Sequence, residues 1–351
     1  MKALVISGGG SKGAFAGGIS QYLIEEKSNQ YELFVGASTG SLLIPLLASN
    51  NIQKAHNVYT TIENSDIFTL SPYKLKKRRG VEFIRMHHLN VIRSFLRGNK
   101  TFGSSRNLRK TIERFFTEED FKKIKLSSTN VIVTVSNLST QEVEYKSIND
   151  CTYADYCDWI WASANFVPFM SLVMKNNMEY ADGGFGNNVP VQAAIDAGAT
   201  EIDVIILDPI QRLTNKIRST NAFDLTFKLL DYLMEQNNQS KLEISKLRAQ
   251  SKKVKINRFY TPTQLTENSL IFNKEKMENW WKKGFEFAAK SNPKEAKRSK
   301  KQNKTSIRNI DPDTLWDAKI YAAQTKQTMG EVVTLALERL VYEDEEGQNN
   351  R

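Results

Sequence analysis

Long apolar runs are missing from this sequence, and with them any segment able to cross a bilayer as a helix or to act as an export signal. The longest apolar stretch, residues 42–48, carries Pro45 inside it, and the N-terminal run 3–6 is too short for a signal core. Cysteine is nearly missing as well. Cys151 and Cys157 are too few to staple a chain of 351 residues, as suits a reducing compartment, and a cytoplasmic setting is expected. Histidine is limited to His56, His87 and His88, and no group of His, Cys, Asp and Glu has metal-ligand spacing, so neither a metal nor another cofactor is expected. Acidic residues are scarce in one place: from Lys74 to Arg109 eleven Lys or Arg face the single acid Glu82, a surplus equal to the net charge of the whole chain, +10. Such a segment is either a solvated basic face or a peripheral contact with an anionic membrane surface at the inner face. Its interleaved Phe83, Ile84, Met86, Leu89, Val91, Ile92, Phe95 and Leu96 would supply the apolar side of interfacial helices.

Hydrophobic residues at 40% and charged ones at 25% are present in ordinary measure, so a core can form, and the length calls for one large domain plus something smaller. Residues 2–7 read as a buried strand, followed by a glycine-rich turn and an apolar helix over 14–25. The pattern returns with a strand over 32–35, a second glycine turn and a helix from Thr39. Further strands are expected at 130–135, 142–146 and 202–207, with helices at 156–164, 189–197, 223–250 and 276–290. Strands alternating with helices predict an α/β fold, a mainly parallel sheet flanked by helices, ending near residue 290. Residues 291–304 hold six basic residues, one acid and nothing apolar larger than alanine, and read as a linker. Residues 305–345 then read as a small strand-helix-helix module: a short strand, a helix opened by Asp311-Pro312, and a second helix with Thr328 and Glu331 as its capping box.

Three motifs carry chemistry. Gly8, Gly9, Gly10, Ser11, Lys12 and Gly13 lie between a strand and a helix, where backbone amides can face a negative charge. They suit a phosphate cradle or an oxyanion hole. Gly36-Ala37-Ser38-Thr39-Gly40 is a G-x-S-x-G between a strand and an apolar helix, the setting of a nucleophile elbow, with Gly36 and Gly40 as its small flanks. Asp182-Gly183-Gly184 would be an ordinary turn if it stood alone. No histidine follows the serine in the late position a Ser-Asp-His order needs, so an aspartate on a rigid turn is the candidate base for Ser38.

The three motifs, in this order, resemble the patatin-like phospholipase family, and the segment 162–170 is similar to the stretch of small residues and prolines that precedes its aspartate. The resemblance covers residues 1–210 well and 211–290 loosely. It implies a lipid acyl hydrolase with a Ser38–Asp182 dyad, oxyanion donors from the Gly8 to Gly13 loop, and a phospholipid or other acyl-ester lipid as substrate. Lys12 stands where many members have arginine. The tail resembles the ribbon-helix-helix DNA-binding family over residues 304–345. That implies a homodimer, with Lys304, Ser306 and Arg308 turned outward toward duplex DNA and the Thr328-capped amides on a phosphate. A helical hairpin that only dimerises or docks is its alternative. Two other readings compete with the hydrolase: a dinucleotide site using Gly8, Gly10, Gly13 and Glu32, and a lipid- or effector-sensing DNA-binding regulator with little or no hydrolase activity.

Overall fold

Leu4 and Ile6 face one side of their strand and Ala3 and Val5 the other, and all four are fully buried, because this strand lies in the middle of a sheet covered on both faces. The computed structural model describes residues 1–290 apart from 79–80, 211–218, 220–221 and 267, and beyond 290 only Val332, Val333 and Ala336. The expected linker 291–304 and module 305–345, with Lys304, Ser306, Arg308 and Thr328, lie outside the described residues. The chain divides into two units, Met1–Pro293 and Lys294–Arg351, and the fold, the cavity and the site below all lie in the first.

In chain order the strands are β1 (Lys2–Ile6), β2 (Leu33–Ala37), β3 (Tyr73–Arg78), β4 (Val81–Met86), β5 (Asn130–Asn137), β6 (Glu142–Ser147), β7 (Val173–Lys175), β8 (Met178–Asp182), β9 (Glu201–Ile206) and β10 (Lys255–Tyr260). The helices are α1 (Gly13–Gln21), α2 (Thr39–Ala48), α3 (Ile52–Thr61), α4 (Asn64–Ile67), α5 (His88–Leu96), α6 (Arg106–Phe115), α7 (Glu118–Leu126), α8 (Tyr153–Ser163), α9 (Gly183–Asn187), α10 (Val191–Asp196), α11 (Ala222–Ser251) and α12 (Lys274–Lys290). Strands β10, β9, β1, β2 and β5 are mutually parallel in that order, and β6, β7 and β8 add antiparallel pairings beside β5. One face of the sheet packs against Phe15, Leu43, Ile160 and Trp281 from α1, α2, α8 and α12; the other packs against Val191, Ala194 and Ile195 of α10. A mainly parallel α/β sheet flanked by helices is thus the fold.

The register around β5 decides where chemistry can occur. Residues 132–134 of β5 pair on one edge with β2 and on the other with β6, whereas 135–137 pair with β8 and again with β6. A strand has only two edges, so β2 and β8 share one of them and meet end to end. Ala37, the last residue of β2, pairs with Thr134, and Asp182, the last residue of β8, pairs with the adjoining Val135.

The structure adds β7, β8, β10, α3, α4, α6 and α7 to the elements expected from the sequence, and two of the expected stretches take another form. The first helix ends as an α-helix at Gln21 and finishes in a π-helical turn, Tyr22–Glu26. The basic segment is not helical throughout: β3 and β4 form an antiparallel hairpin, and α5 and the first turn of α6 are its helical parts. The hairpin wins because the alternation Tyr73, Leu75 against Ile84, Met86 gives one face a period of two, of which Tyr73, Ile84 and Met86 pack on the core. Among the described residues no helix is long and apolar enough to cross a membrane.

Candidate active site

Ser38 is the single residue between β2 and α2, and it adopts φ 52°, ψ −121°, a conformation that non-glycine residues enter at a cost of about 1–3 kcal/mol. What holds it there is the packing of the turn. Gly40 lies so close to β1 that a Cβ would stand 2.2 Å from the Ile6 carbonyl oxygen, so the helix can start directly over the sheet only with glycine at this position. The Ser38 amide donates to Ser163 Oγ at 3.0 Å, and the Ser41 and Ser163 hydroxyls are 2.8 Å apart. Tyr59 donates to the Thr39 carbonyl at 2.8 Å. The elbow is therefore clamped from α2, α3 and α8 at once.

Asp182 arrives from the opposite direction at the end of β8. Ser38 Oγ donates to its Oδ2 at 2.7 Å, and the Gly184 amide donates to its Oδ1 at 2.7 Å. A Cβ on Gly183 would stand 2.1 Å from the Thr134 carbonyl oxygen, so glycine lets the chain turn tightly against β5 and present that amide. The Asp182 amide donates to the Asn165 carbonyl at 2.9 Å and Ser136 Oγ to the Asp182 carbonyl at 2.8 Å, which fixes the backbone on both sides. Asp182 is 1% exposed, and no cation pairs with its carboxylate among the described residues. Burial pushes it up to about 7, against the smaller lowering effects of the bonds from Ser38 and Gly184. A carboxylate that titrates there is well matched to accept and return a proton near neutral pH.

The glycine loop is less open than its sequence suggested. The Gly8 amide donates to the Asn188 carbonyl, that of Ser11 to the Ser269 carbonyl, that of Lys12 to the Gly9 carbonyl, and that of Gly13 to Gly10 and Ser11. The amides of Gly9 and Gly10, and that of Thr39 in the first turn of α2, donate to no acceptor among the described residues. Lys12 pairs its ammonium with Asp208 at 2.7 Å, and both residues line the cavity that Ser38 and Asp182 share. Glu32 lies at the N-terminal end of its strand, where it accepts from the Lys2 amide at 3.2 Å. That is the opposite end from Gly8, and the dinucleotide arrangement is lost.

Gly9, Gly10, Ser38, Thr39 and Asp182 all line one cavity of about 140 Å³. Its far wall is apolar, built from Leu42 and Leu46 of α2, Val58 of α3, Ile112 of α6, Phe166, and Phe227 of α11. His56, His87 and His88 do not line it; His56 instead meets the Trp281 ring edge-on at 5.0 Å. Sequence reasoning missed Ser163, although it falls within the small-residue stretch 162–170. It also missed Asn188, a cavity-lining residue whose buried Oδ1 has no partner among the described residues and lies in contact range of Gly8 and Gly184. The Asn187-Asn188-Val189-Pro190 run after the aspartate was the available signal.

A sequence model of a family described as patatin-like phospholipase matches residues 4–195, more than half of the chain. Among solved structures, VipD from Legionella pneumophila is similar, with a TM-score of 0.44 and 14% identity, over 82% of this chain and 66% of that one. The chain thus spans just under two thirds of that neighbour's length. No curated protein matches.

Proposed function

This chain belongs to the patatin-like phospholipase family, and from that premise we propose that it hydrolyses acyl-ester lipids with Ser38 as nucleophile and Asp182 as general base. Membership carries the coarse activity, lipid acyl hydrolysis. The finer reading rests on the 2.7 Å bond from Ser38 Oγ to a buried carboxylate that no histidine or cation accompanies among the described residues.

In the proposed reaction the ester enters with its acyl chain against the apolar wall and its carbonyl at the glycine loop. Ser38 Oγ attacks the carbonyl carbon as its proton passes to Asp182 Oδ2. The developing oxyanion is held by the amides of Gly9 and Gly10, with Thr39 as a third candidate donor, so the oxyanion hole narrows to part of the Gly8 to Gly13 loop. Asp182 then protonates the departing alcohol. A water, deprotonated by the same carboxylate, attacks the acyl-serine, and its proton returns to Ser38 when the ester bond breaks. Gly36 and Gly40 hold the elbow, and Gly183 and Gly184 hold the base. The test is lipid mass spectrometry of vesicles exposed to the protein and to Ser38→Ala: free fatty acid and lysolipid should form only with the former.

A cytoplasmic protein acting at the inner membrane face is the proposed setting. For residues 305–345 the sequence pattern alone supports a DNA-binding or dimerising module. Retardation of duplex DNA that weakens steeply with salt, and is lost on Arg308→Ala, would bear on it.

A further inference from the structure

Helix α5 is amphipathic the wrong way round for a soluble surface. It turns Ser94 and Asn90 inward, where Ser94 Oγ donates to the Thr101 carbonyl at 2.8 Å and Asn90 Nδ2 to the Ser71 carbonyl at 2.9 Å. Outward it shows Leu89, Ile92, Phe95 and Leu96, exposed by 63%, 54%, 50% and 81%. Single exposed leucines are common, but four on one nine-residue helix are not the expected pattern. Arg93 and Arg97, both exposed, flank this stripe.

The neighbouring hairpin adds charge of one sign. Its register sets Lys74 opposite Arg85 and Lys76 opposite Phe83, so these four share a face, and all are exposed. Glu82, the one acid of the segment, is on the other face, bonded to Asn273 and paired with Lys276 at 3.6 Å. Desolvation, and after it the nearby Lys74, Arg93 and His88, lower the His87 imidazole from its ordinary value. Ring contacts link α5 to the cavity wall: Phe95 packs on Phe102 (6.2 Å between centroids), Phe102 on the buried Phe169 (5.9 Å), and Phe169 on the cavity-lining Phe227 (5.7 Å).

We propose that α5 and the Lys74–Arg85 face of the hairpin are a docking surface for an anionic lipid bilayer, with Leu89, Ile92, Phe95 and Leu96 inserted at the headgroup level and the cations on lipid phosphates. The inference rests on the acyl-ester reading for its purpose, since it brings the cavity to its substrate, but not for its test. A second copy of the chain is a poor occupant because two such faces carry like charge, and the aliphatic stripe offers nothing to a nucleic acid.

Flotation of the full chain with vesicles of phosphatidylcholine, alone or mixed with phosphatidylglycerol, tests it. The protein should float with the mixed vesicles and little with neutral ones. Lys74→Ala with Arg85→Ala should weaken binding by about fivefold per cation removed, and Ile92→Asp with Leu96→Asp by about tenfold or more. Ser38→Ala should float as the unmodified protein does. Thermal melting checks the fold of each variant, so failure of the hydrolase reading would show as missing ester turnover with flotation intact. No flotation, equal flotation on neutral and anionic vesicles, or flotation unaffected in both double variants would overturn the proposal. So would a dimer that dissociates in Ile92→Asp with Leu96→Asp, or tighter retention of duplex DNA than of vesicles through Lys74 and Arg85.

Discussion

Two aspartates of this protein are almost equally buried, Asp182 at 1% and Asp203 at 2% exposure, and their surroundings differ in kind. Asp203, in the middle of β9, receives the Tyr31 hydroxyl at 2.6 Å, Asn257 Nδ2 at 2.6 Å and Asn29 Nδ2 at 3.4 Å, and pairs with the Lys2 ammonium at 3.4 Å. Among the described residues Asp182 has one hydroxyl, one amide and no cation. A buried charge that is fully partnered belongs to the structure, whereas one left with few partners retains proton affinity it can use. Burial alone therefore does not single out Asp182 as the proposed base; the poverty of its partners does.

The largest effect expected from breaking this contrast is chemical. Ser38→Ala and Asp182→Asn should each lower kcat for a lipid ester by at least about 10⁴-fold while leaving the fold intact, as removal of a member of a catalytic unit does. Asp203→Asn should leave turnover within a few-fold, measured on the same substrate, because its carboxylate is remote from the cavity lining.

The pH profile comes next. With the base pushed up to about 7, kcat/KM should fall about tenfold per unit as pH drops below that value and level off above it. A profile flat down to pH 5 would mean that the proton acceptor is another group.

Stability should divide the two aspartates in the opposite sense. Asp182 titrates higher in the folded protein than its ordinary 3.8, so the stability contributed by its protonated form is fully present below about 4 and lost as pH rises through about 7. Asp182→Asn, which has no charge to bury, should melt higher than the unmodified protein at pH 8, with the advantage shrinking toward acid. Asp203→Asn should melt lower at pH 8, by about 1–3 kcal/mol, because Lys2 and its neighbours lose a charged acceptor. The smallest effect on chemistry should come from Lys12→Met. Its ammonium is engaged with Asp208, so turnover should stay within about threefold although the protein loses stability.

The parts of this arrangement with local causes were legible in the sequence. β1, β2 and the glycine turns after them follow from short apolar runs broken by glycine, and Ser38 and Asp182 follow from their motifs. The end-to-end meeting of β2 and β8 on one edge of β5 was not legible. It depends on two long-range registers, Ala37 with Thr134 and Asp182 with Val135, which no periodicity encodes, and β7 and β8 are too short to announce themselves. The hairpin over 73–86 was hidden because its lysines and arginines blur the alternation of Tyr73 and Leu75. In the glycine loop the sequence marked the whole of Gly8 to Gly13. Which amides are spent on Asn188, Ser269 and the loop itself is a matter of tertiary contact.

The most direct measurement is the rate at which a fluorophosphonate labels the protein at pH 8, with the adduct located by peptide mass. The account predicts fast, single-site labelling of Ser38 that slows by orders of magnitude in Asp182→Asn and persists in Asp203→Asn. Labelling at another residue, or at Ser38 with an undiminished rate in Asp182→Asn, would contradict it.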